Sequence, residues 1–465
     1  MQICSSKRAM KKIFIIYQNY IMIPRISKKL KAQFSWLIHS QATSGVLLII
    51  STIIALLWAN AGDGQAYHDF WYKTLLRIGE PGQFFYDVSI HHFVNDFLMA
   101  IFFFLIGLEI KREIKAGELS SFKKAAVPIF ASIGGMLIPA LIFVGFNFGQ
   151  NSISGWGVPM ATDIAFSLGI LALLGSRVPL SLKIFLTAFA IADDIGAVLV
   201  IAIFYTDQIV LTEIIVALMG IALLMGANYA GIRNRNFYYI VGILVVWVAF
   251  VYSGVHATIA GILVAFTVPA DTKINTQTYI NKTQELVNRL KALEKEDEDG
   301  IISVEKHDIL MKQKELLLCA YNPLQYKEHF WHPIVNFLIM PIFALANAGV
   351  VISGGFGNLI VEPIFLGIFF GLIFGKLVGV FFMTKLAQWL KIGVLPKEIN
   401  NMHIAGVGLL AGLGFTMSLF IANLAFFSPE QIDIAKQSIL VASFVAAVSG
   451  YLVLRLSGNI NKKKA

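Results

Sequence analysis

Twelve stretches of this chain are long and apolar enough to cross a bilayer, and they follow one another almost without a break. Windows of about 17 to 25 apolar residues, the length that a spanning helix needs, lie near 44–60, 90–110, 125–148, 156–174, 180–205, 208–228, 236–252, 254–270, 333–353, 361–386, 402–427 and 436–457. In lipid the backbone must satisfy its own hydrogen bonds, so runs of this kind fold as helices. Hydrophobic residues make up 57% of the chain and charged residues 14%, against about 25% charged in a soluble domain. The fold class expected is an all-α integral membrane protein of about twelve transmembrane helices.

The charges that remain are sorted by side. Lys and Arg total 37 against 28 Asp and Glu, a formal +9. The excess forms no patch for nucleic acid, because it sits at span ends and in the tails. Cytoplasmic loops of membrane proteins collect Lys and Arg. Here one set of connections holds Lys111, Arg112, Lys115, Lys123 and Lys124, then Arg177 and Lys183, then Arg233 and Arg235, then Lys385, Lys391 and Lys397. The alternate set, near 149–155, 206–207, 354–360 and 428–435, holds neither residue. Only the first external loop is mixed, with Lys73 and Arg77 beside Asp63, Asp69, Glu80 and Asp87. An even number of spans with both basic termini inside fits this alternation.

Five segments are expected: a basic cytoplasmic N-terminal extension over 1–40, spans 1–8 over 41–270, a charged cytoplasmic linker over 271–327, spans 9–12 over 328–458, and a basic tail over 459–465, including Lys462 to Lys464. The apolar stretch Ile13 to Ile23 is interrupted by Gln18 and Asn19 and has no small-residue cleavage site after it, so it reads as part of the extension rather than a signal peptide. The linker mixes Glu and Lys with Leu at helical spacing and is expected as a helical hairpin or a solvated connection. Cys4 and Cys319 have no metal-ligand spacing around them and suggest no disulfide framework.

Two spans are interrupted. The fourth reads GWGVPMATDIAFSLG, with Pro159 and the polar pair Thr162 and Asp163 inside it; the eleventh reads AGLGFTMSLFIANLAF, with Gly412 and Gly414 ahead of Thr416. An interruption in each half of a transporter points to a site at the midplane, where freed carbonyls and half-helix ends can hold ions.

The fifth span, IFLTAFAIADDIGAVLVIAIFYT, sets Asp193 and Asp194 at bilayer depth. An ionised side chain there costs at least about 2.5 to 3.5 kcal/mol, so it faces a partner or a watery cavity rather than lipid. Consecutive helical residues point about 100° apart, so one aspartate can face an ion while the other faces a countercharge. Lys376, inside the tenth span, is the countercharge available. Asp163, Asp193 and Asp194 outnumber it, which leaves acidic sites for cations. A poorly hydrated carboxylate holds either a proton or a small hard cation. If one site takes them in turn, the protein is an exchanger by construction.

These strings, with GLEIKREIKAGEL, YSGVHATIAG and LIMPIFALANAGV, closely resemble the NhaA family of sodium/proton antiporters, over nearly all the spans. The resemblance implies inverted-topology repeats and an electrogenic exchange of Na+ or Li+ for H+, with more protons moved inward than sodium outward and roles in sodium and pH homeostasis. It makes Asp194 the principal cation ligand, Asp193 a proton carrier paired with Lys376, and Thr162 an additional oxygen ligand. Asp163 would balance the facing ends of the broken helices, and Asp96 matches a further acidic position. Glu109, Arg112, Glu113, Glu328, His329 and His332 match a cytoplasmic pH-sensing cluster, and His256 another pH-linked position. The family also implies the inner membrane of a bacterium and a homodimer, with no cofactor beyond the transported ions. The N-terminal extension and the linker depart from its short pattern, and the linker enters just ahead of Glu328.

Two other readings compete. A sodium-coupled symporter of an organic substrate would also use broken helices, and a channel would conduct without exchange. No Gly-rich phosphate loop, nucleophile elbow or HExxH helix suggests an enzyme.

Overall fold

The computed structural model describes residues 41–62, 64–78, 86–206, 209–232, 235–293, 302–351 and 359–462. The N-terminal extension with Cys4 and Ile13 to Ile23, the loop charges Asp63, Glu80 and Arg233, and the tail residues Lys463 and Lys464 lie outside them.

Every apolar window carries helix. Among the described residues, seven helices are long and apolar enough to cross a membrane: Ile90–Ala116, Phe122–Asn147, Leu180–Phe204, Leu211–Tyr229, Pro323–Asn347, Pro363–Trp389 and Pro429–Ser457, which are spans 2, 3, 5, 6, 9, 10 and 12. Two further spans are bent pairs: Asn151–Met160 with Ile164–Leu173 at 42° is span 4, and Asn401–Ala411 with Phe415–Ala425 at 44° is span 11. Three shorter apolar helices, Thr43–Ala59, Phe237–Ser253 and Ala257–Thr267, are spans 1, 7 and 8. The end of the bundle that carries Lys111, Arg112 and Lys115 is called the basic end below, and the other the far end.

Both breaks fall where the sequence marks them. The first half of span 4 is wound as a tight 3₁₀ helix with Pro159 inside it, and Ala161 leaves it in extended conformation. In span 11, Gly412 stands where a Cβ would strike the carbonyl oxygen of Leu372.

Helix association in lipid gains little from the hydrophobic effect and depends on close packing of small residues. Spans 3 and 10 meet through Gly134 and Gly379, and a Cβ on either would collide with the other's carbonyl oxygen. Spans 2 and 8 meet in the same way, with Gly261 against the carbonyl of Ala100.

Two features were not legible as periodicity. Four spans contain a π-helical turn: Phe93–Leu98 in span 2, Gly242–Trp247 in span 7, Val335–Ile339 in span 9 and Gly371–Gly375 in span 10. Such wide turns are frequent at functional sites. The mixed loop between spans 1 and 2 holds a short antiparallel hairpin, β1 (Thr74–Ile78) and β2 (Tyr86–Ser89), with Leu76 opposite Val88. The all-α class stands with that addition.

Between spans 8 and 9, helices Thr276–Ala292 and Val304–Ala320 pack against each other. Their base is pinched: the Lys273 N–H donates to the Cys319 carbonyl at 2.9 Å, and the Asn322 amide to the Ala270 carbonyl at 2.6 Å. Lys115 of span 2 pairs with Asp271 at 2.8 Å across this base.

The Gly134–Gly379 contact makes a prediction. Gly379→Leu forces spans 3 and 10 apart and lowers the melting temperature of the purified protein by several degrees. The same substitution at Gly145, where nothing lies within 4 Å of the built Cβ, serves as the control and leaves melting nearly unchanged.

Candidate functional site

The two breaks cross each other inside the bundle, joined where the Asp163 N–H donates to the Leu413 carbonyl at 2.6 Å. That crossing buries four half-helix ends. Helix N-termini carry about half a positive charge and C-termini about half a negative one, and here they are buried away from bulk solvent.

Asp163 serves both N-termini. Its Oδ1 accepts the Phe166 N–H at 3.0 Å, capping Ile164–Leu173. Its Oδ2 accepts the Thr416 N–H at 3.2 Å and the Thr416 hydroxyl, at the start of Phe415–Ala425. Lys376 serves the other pair of ends. Its Nζ donates to the Met160 carbonyl, where the first half of span 4 stops, and to Thr162 Oγ1 at 2.9 Å. Thr162 in turn donates to the Ala411 carbonyl at 2.8 Å, the last residue of Asn401–Ala411. Each of these side chains is 0–1% exposed.

Span 5 supplies the remaining charge. Asp193 Oδ2 lies 2.6 Å from Lys376 Nζ, with both side chains wholly buried. Among the described residues, the Oδ1 atoms of Asp193 and Asp194 are buried with no hydrogen-bond partner. A buried carboxylate oxygen without a partner carries its full desolvation penalty, which a proton or a metal cation would relieve. Asp194 and Asp163 line a cavity of about 180 Å³. It continues past Leu105, Thr187 and Met417 to Glu109, Arg112, Glu328, His332 and Asn336 toward the basic end.

Residues 35–454 match the family model described as Na+/H+ antiporter 1. Among similar proteins are the Na(+)/H(+) antiporter NhaA 1 of Psychromonas ingrahamii, 48% identical, and the Na(+)/H(+) antiporter NhaA of Oleidesulfovibrio alaskensis, 47% identical. The alignments cover 93% of this chain in both cases, and 98% and 96% of those proteins. The NhaA of Wolinella succinogenes is 42% identical over 94% of this chain and 95% of its own length.

The chain belongs to the NhaA family of Na+/H+ antiporters.

Of the positions that the NhaA resemblance marks for pH sensing, four share the cavity wall: Glu109, Arg112, Glu328 and His332. Arg112 is the hub. Its Nε donates to Glu328 at 3.0 Å and its NH1 lies 2.6 Å from Glu113, while Glu113 accepts the Glu118 N–H at 2.8 Å. His332 sits within hydrogen-bond reach of the Asn336 amide at 3.2 Å. His329 is exposed, away from the cavity wall. His256 is not brought to this cluster: it precedes Ala257–Thr267 and reaches the Tyr205 carbonyl at the far end. Asp96, in the π turn of span 2, interacts electrostatically with His256 and His92. Sequence reasoning did not single out Thr416, Asn336 or the carbonyls of Met160 and Ala411 as partners. Only Thr416, two residues after Gly414, carried a local signal.

Removing one member of a buried ion pair strands the other, at a cost of about 3 to 5 kcal/mol. Lys376→Met should therefore lower the melting temperature sharply. Adding Asp193→Asn removes the stranded carboxylate and should recover part of the loss. A double variant no more stable than Lys376→Met would show that the pair carries no coupling.

Proposed function

We propose that Asp194 is the exchange site of this antiporter, binding Na+ or Li+ and protons in alternation from the cavity, with Asp193 as the second proton carrier and Thr162 as an oxygen ligand released when Lys376 moves. The observation that carries this reading is the pair of partnerless carboxylate oxygens on adjacent residues, one of those residues lining the cavity.

Charge arithmetic supports electrogenic exchange. With the carboxylates ionised, the two N-termini and Asp163 cancel, since two ends carry about one positive charge. The two C-termini carry about one negative charge and cancel Lys376. Asp193 and Asp194 are left over, so the site takes about two positive charges. Two protons neutralise it, whereas one sodium ion meets only half the deficit.

The positive-inside rule turns the basic end toward the cytoplasm, so in this conformation the cavity loads from inside and an inward proton gradient drives sodium out. Glu109, Arg112, Glu113, Glu328 and His332 set the pH at which the cavity admits ions, because Arg112 shares one charge between two carboxylates and the tie to Glu328 loosens when that carboxylate takes a proton. As a family member the chain works as a homodimer, which cysteine cross-linking in native membranes would test.

Proteoliposomes holding a pH gradient should lose it on addition of sodium or lithium. Asp194→Asn should abolish the response, and undiminished dequenching in that variant would refute the site. Glu328→Gln should leave the maximal rate nearly unchanged and displace the pH profile of exchange, and an unmoved profile would separate Glu328 from regulation.

A further inference from the structure

Spans 2, 9 and 11 repeat one axial order, read from the cavity toward the far end. Each lends residues to the cavity wall: Leu105 and Ile106, Asn336, and Met417. Each then places one wholly buried phenylalanine. Phe103 and Phe420 have ring centroids 5.6 Å apart and Phe343 and Phe420 6.4 Å apart, all 0–1% exposed. Each then places one asparagine, at Asn95, Asn347 and Asn423. A dry aromatic layer bars a charged ion, because nothing in it replaces water of hydration.

The asparagines are bonded to one another beyond that layer. The Asn347 amide donates to Asn95 Oδ1 at 3.1 Å, and the Asn423 amide donates to Asn347 Oδ1 at 2.7 Å. His91 Nε2 lies 3.2 Å from the same Asn347 oxygen, while the Asn95 amide is 3.2 Å from His91 Nδ1. Asn347 is 0% exposed and touches both other helices, so it is the centre of the net. Three spans that share no sequence neighbourhood are thus tied at one level by side chains alone. The helices would be as stable with apolar residues there, packed against lipid or each other. Buried amides are tolerated only when bonded, so a change that parts the helices must also offer the amides water.

We propose that the external leg of the transport path runs between spans 2, 9 and 11, past the phenylalanine layer, and that the Asn95–Asn347–Asn423–His91 net is the latch that holds this leg shut while the cavity is open at the basic end. When the latch parts, the amide oxygens line the opened leg and give a departing sodium ion its first polar partners on the way to bulk water. The side named external rests on the orientation proposed above.

The latch is tested without transport. In a chain carrying Cys4→Ser, Cys319→Ser and Met417→Cys, a membrane-impermeant thiol reagent should label Met417→Cys in inside-out vesicles and scarcely at all in intact cells. Adding Asn347→Ala removes the bonds to Asn95, Asn423 and His91 together and should raise labelling from the outside of cells by at least about tenfold, the population shift that losing even one buried neutral hydrogen bond produces in a two-state equilibrium. Unchanged outside labelling in a variant that still elutes as folded protein would overturn the proposal. Should Asn347→Ala fold poorly, the pair Asn95→Cys with Asn347→Cys, on the background without Cys4 and Cys319, replaces the latch by a disulfide. Its oxidation should stop sodium-dependent proton flux, and reduction should restore it; flux at full rate in the oxidised protein would overturn the proposal. Failure of the exchange-site reading looks different, since dequenching would then persist in Asp194→Asn while outside labelling still responded to Asn347→Ala.

Discussion

A lysine ammonium held wholly out of water at the crossing of two broken helices is the constraint on which the rest of this structure depends. Lys376 has no reason to be there except the negative ends around it: two helix C-termini reached through the Met160 carbonyl and Thr162, and the Asp193 carboxylate. Remove any of them and a buried charge is stranded. Much of the packing follows from bringing that one nitrogen to its partners. The glycine contact of spans 3 and 10 presses the helix of Lys376 into the bundle, and the π turn Gly371–Gly375 just before it changes the rotational phase with which Lys376 enters. Gly412, flush against Leu372, lets the break of span 11 lie on the same helix.

The mirrored arrangement at Asp163 explains why the acidic residues differ in availability. Asp163 accepts from Phe166 and from the amide and hydroxyl of Thr416, so its charge is spent on the two N-termini. Asp193 keeps one oxygen on Lys376. Asp194 has no basic partner within bonding distance among the described residues and borders the cavity. A gradation from fully committed to uncommitted carboxylates within one site is what a binding cycle needs, because only the uncommitted group can release its cargo without dismantling the scaffold.

How far the sequence displayed this depends on the kind of signal. Span positions and the two breaks were legible because lipid imposes a length on apolar runs and because Pro159, Gly412 and Gly414 are local causes. The involvement of Asp193, Asp194 and Lys376 was legible because a charge at bilayer depth is expensive wherever the helices lie. Which aspartate pairs with Lys376 was not fixed by a 100° difference in direction alone, and only the resemblance chose between them. The π turns were hidden, since one extra residue in a uniformly apolar helix leaves no mark on hydropathy. Backbone partners such as the Met160 and Ala411 carbonyls were hidden for a simpler reason, that every residue has a carbonyl. His256, which the resemblance marks as a pH-linked position separate from that cluster, lies at the far end beside the Tyr205 carbonyl, a location that no local pattern around it signalled.

Spans 2 and 9 are pinned to each other at both ends by different chemistry. At the basic end the tie is ionic, Arg112 to Glu328 at 3.0 Å; at the far end it is neutral, Asn347 to Asn95 at 3.1 Å. Each of the two helices carries one π turn between or beside these ties, Phe93–Leu98 and Val335–Ile339. A π turn can pass its extra residue along the helix and rotate the side chains it crosses without breaking the backbone ladder. An ion pair weakens with added salt and with protonation of its carboxylate, whereas a hydrogen bond between two amides contains no titrating group. Two ties of different chemistry therefore hold the same pair of helices, an ion pair where the cavity begins and bonded amides with His91 beside them at the far end.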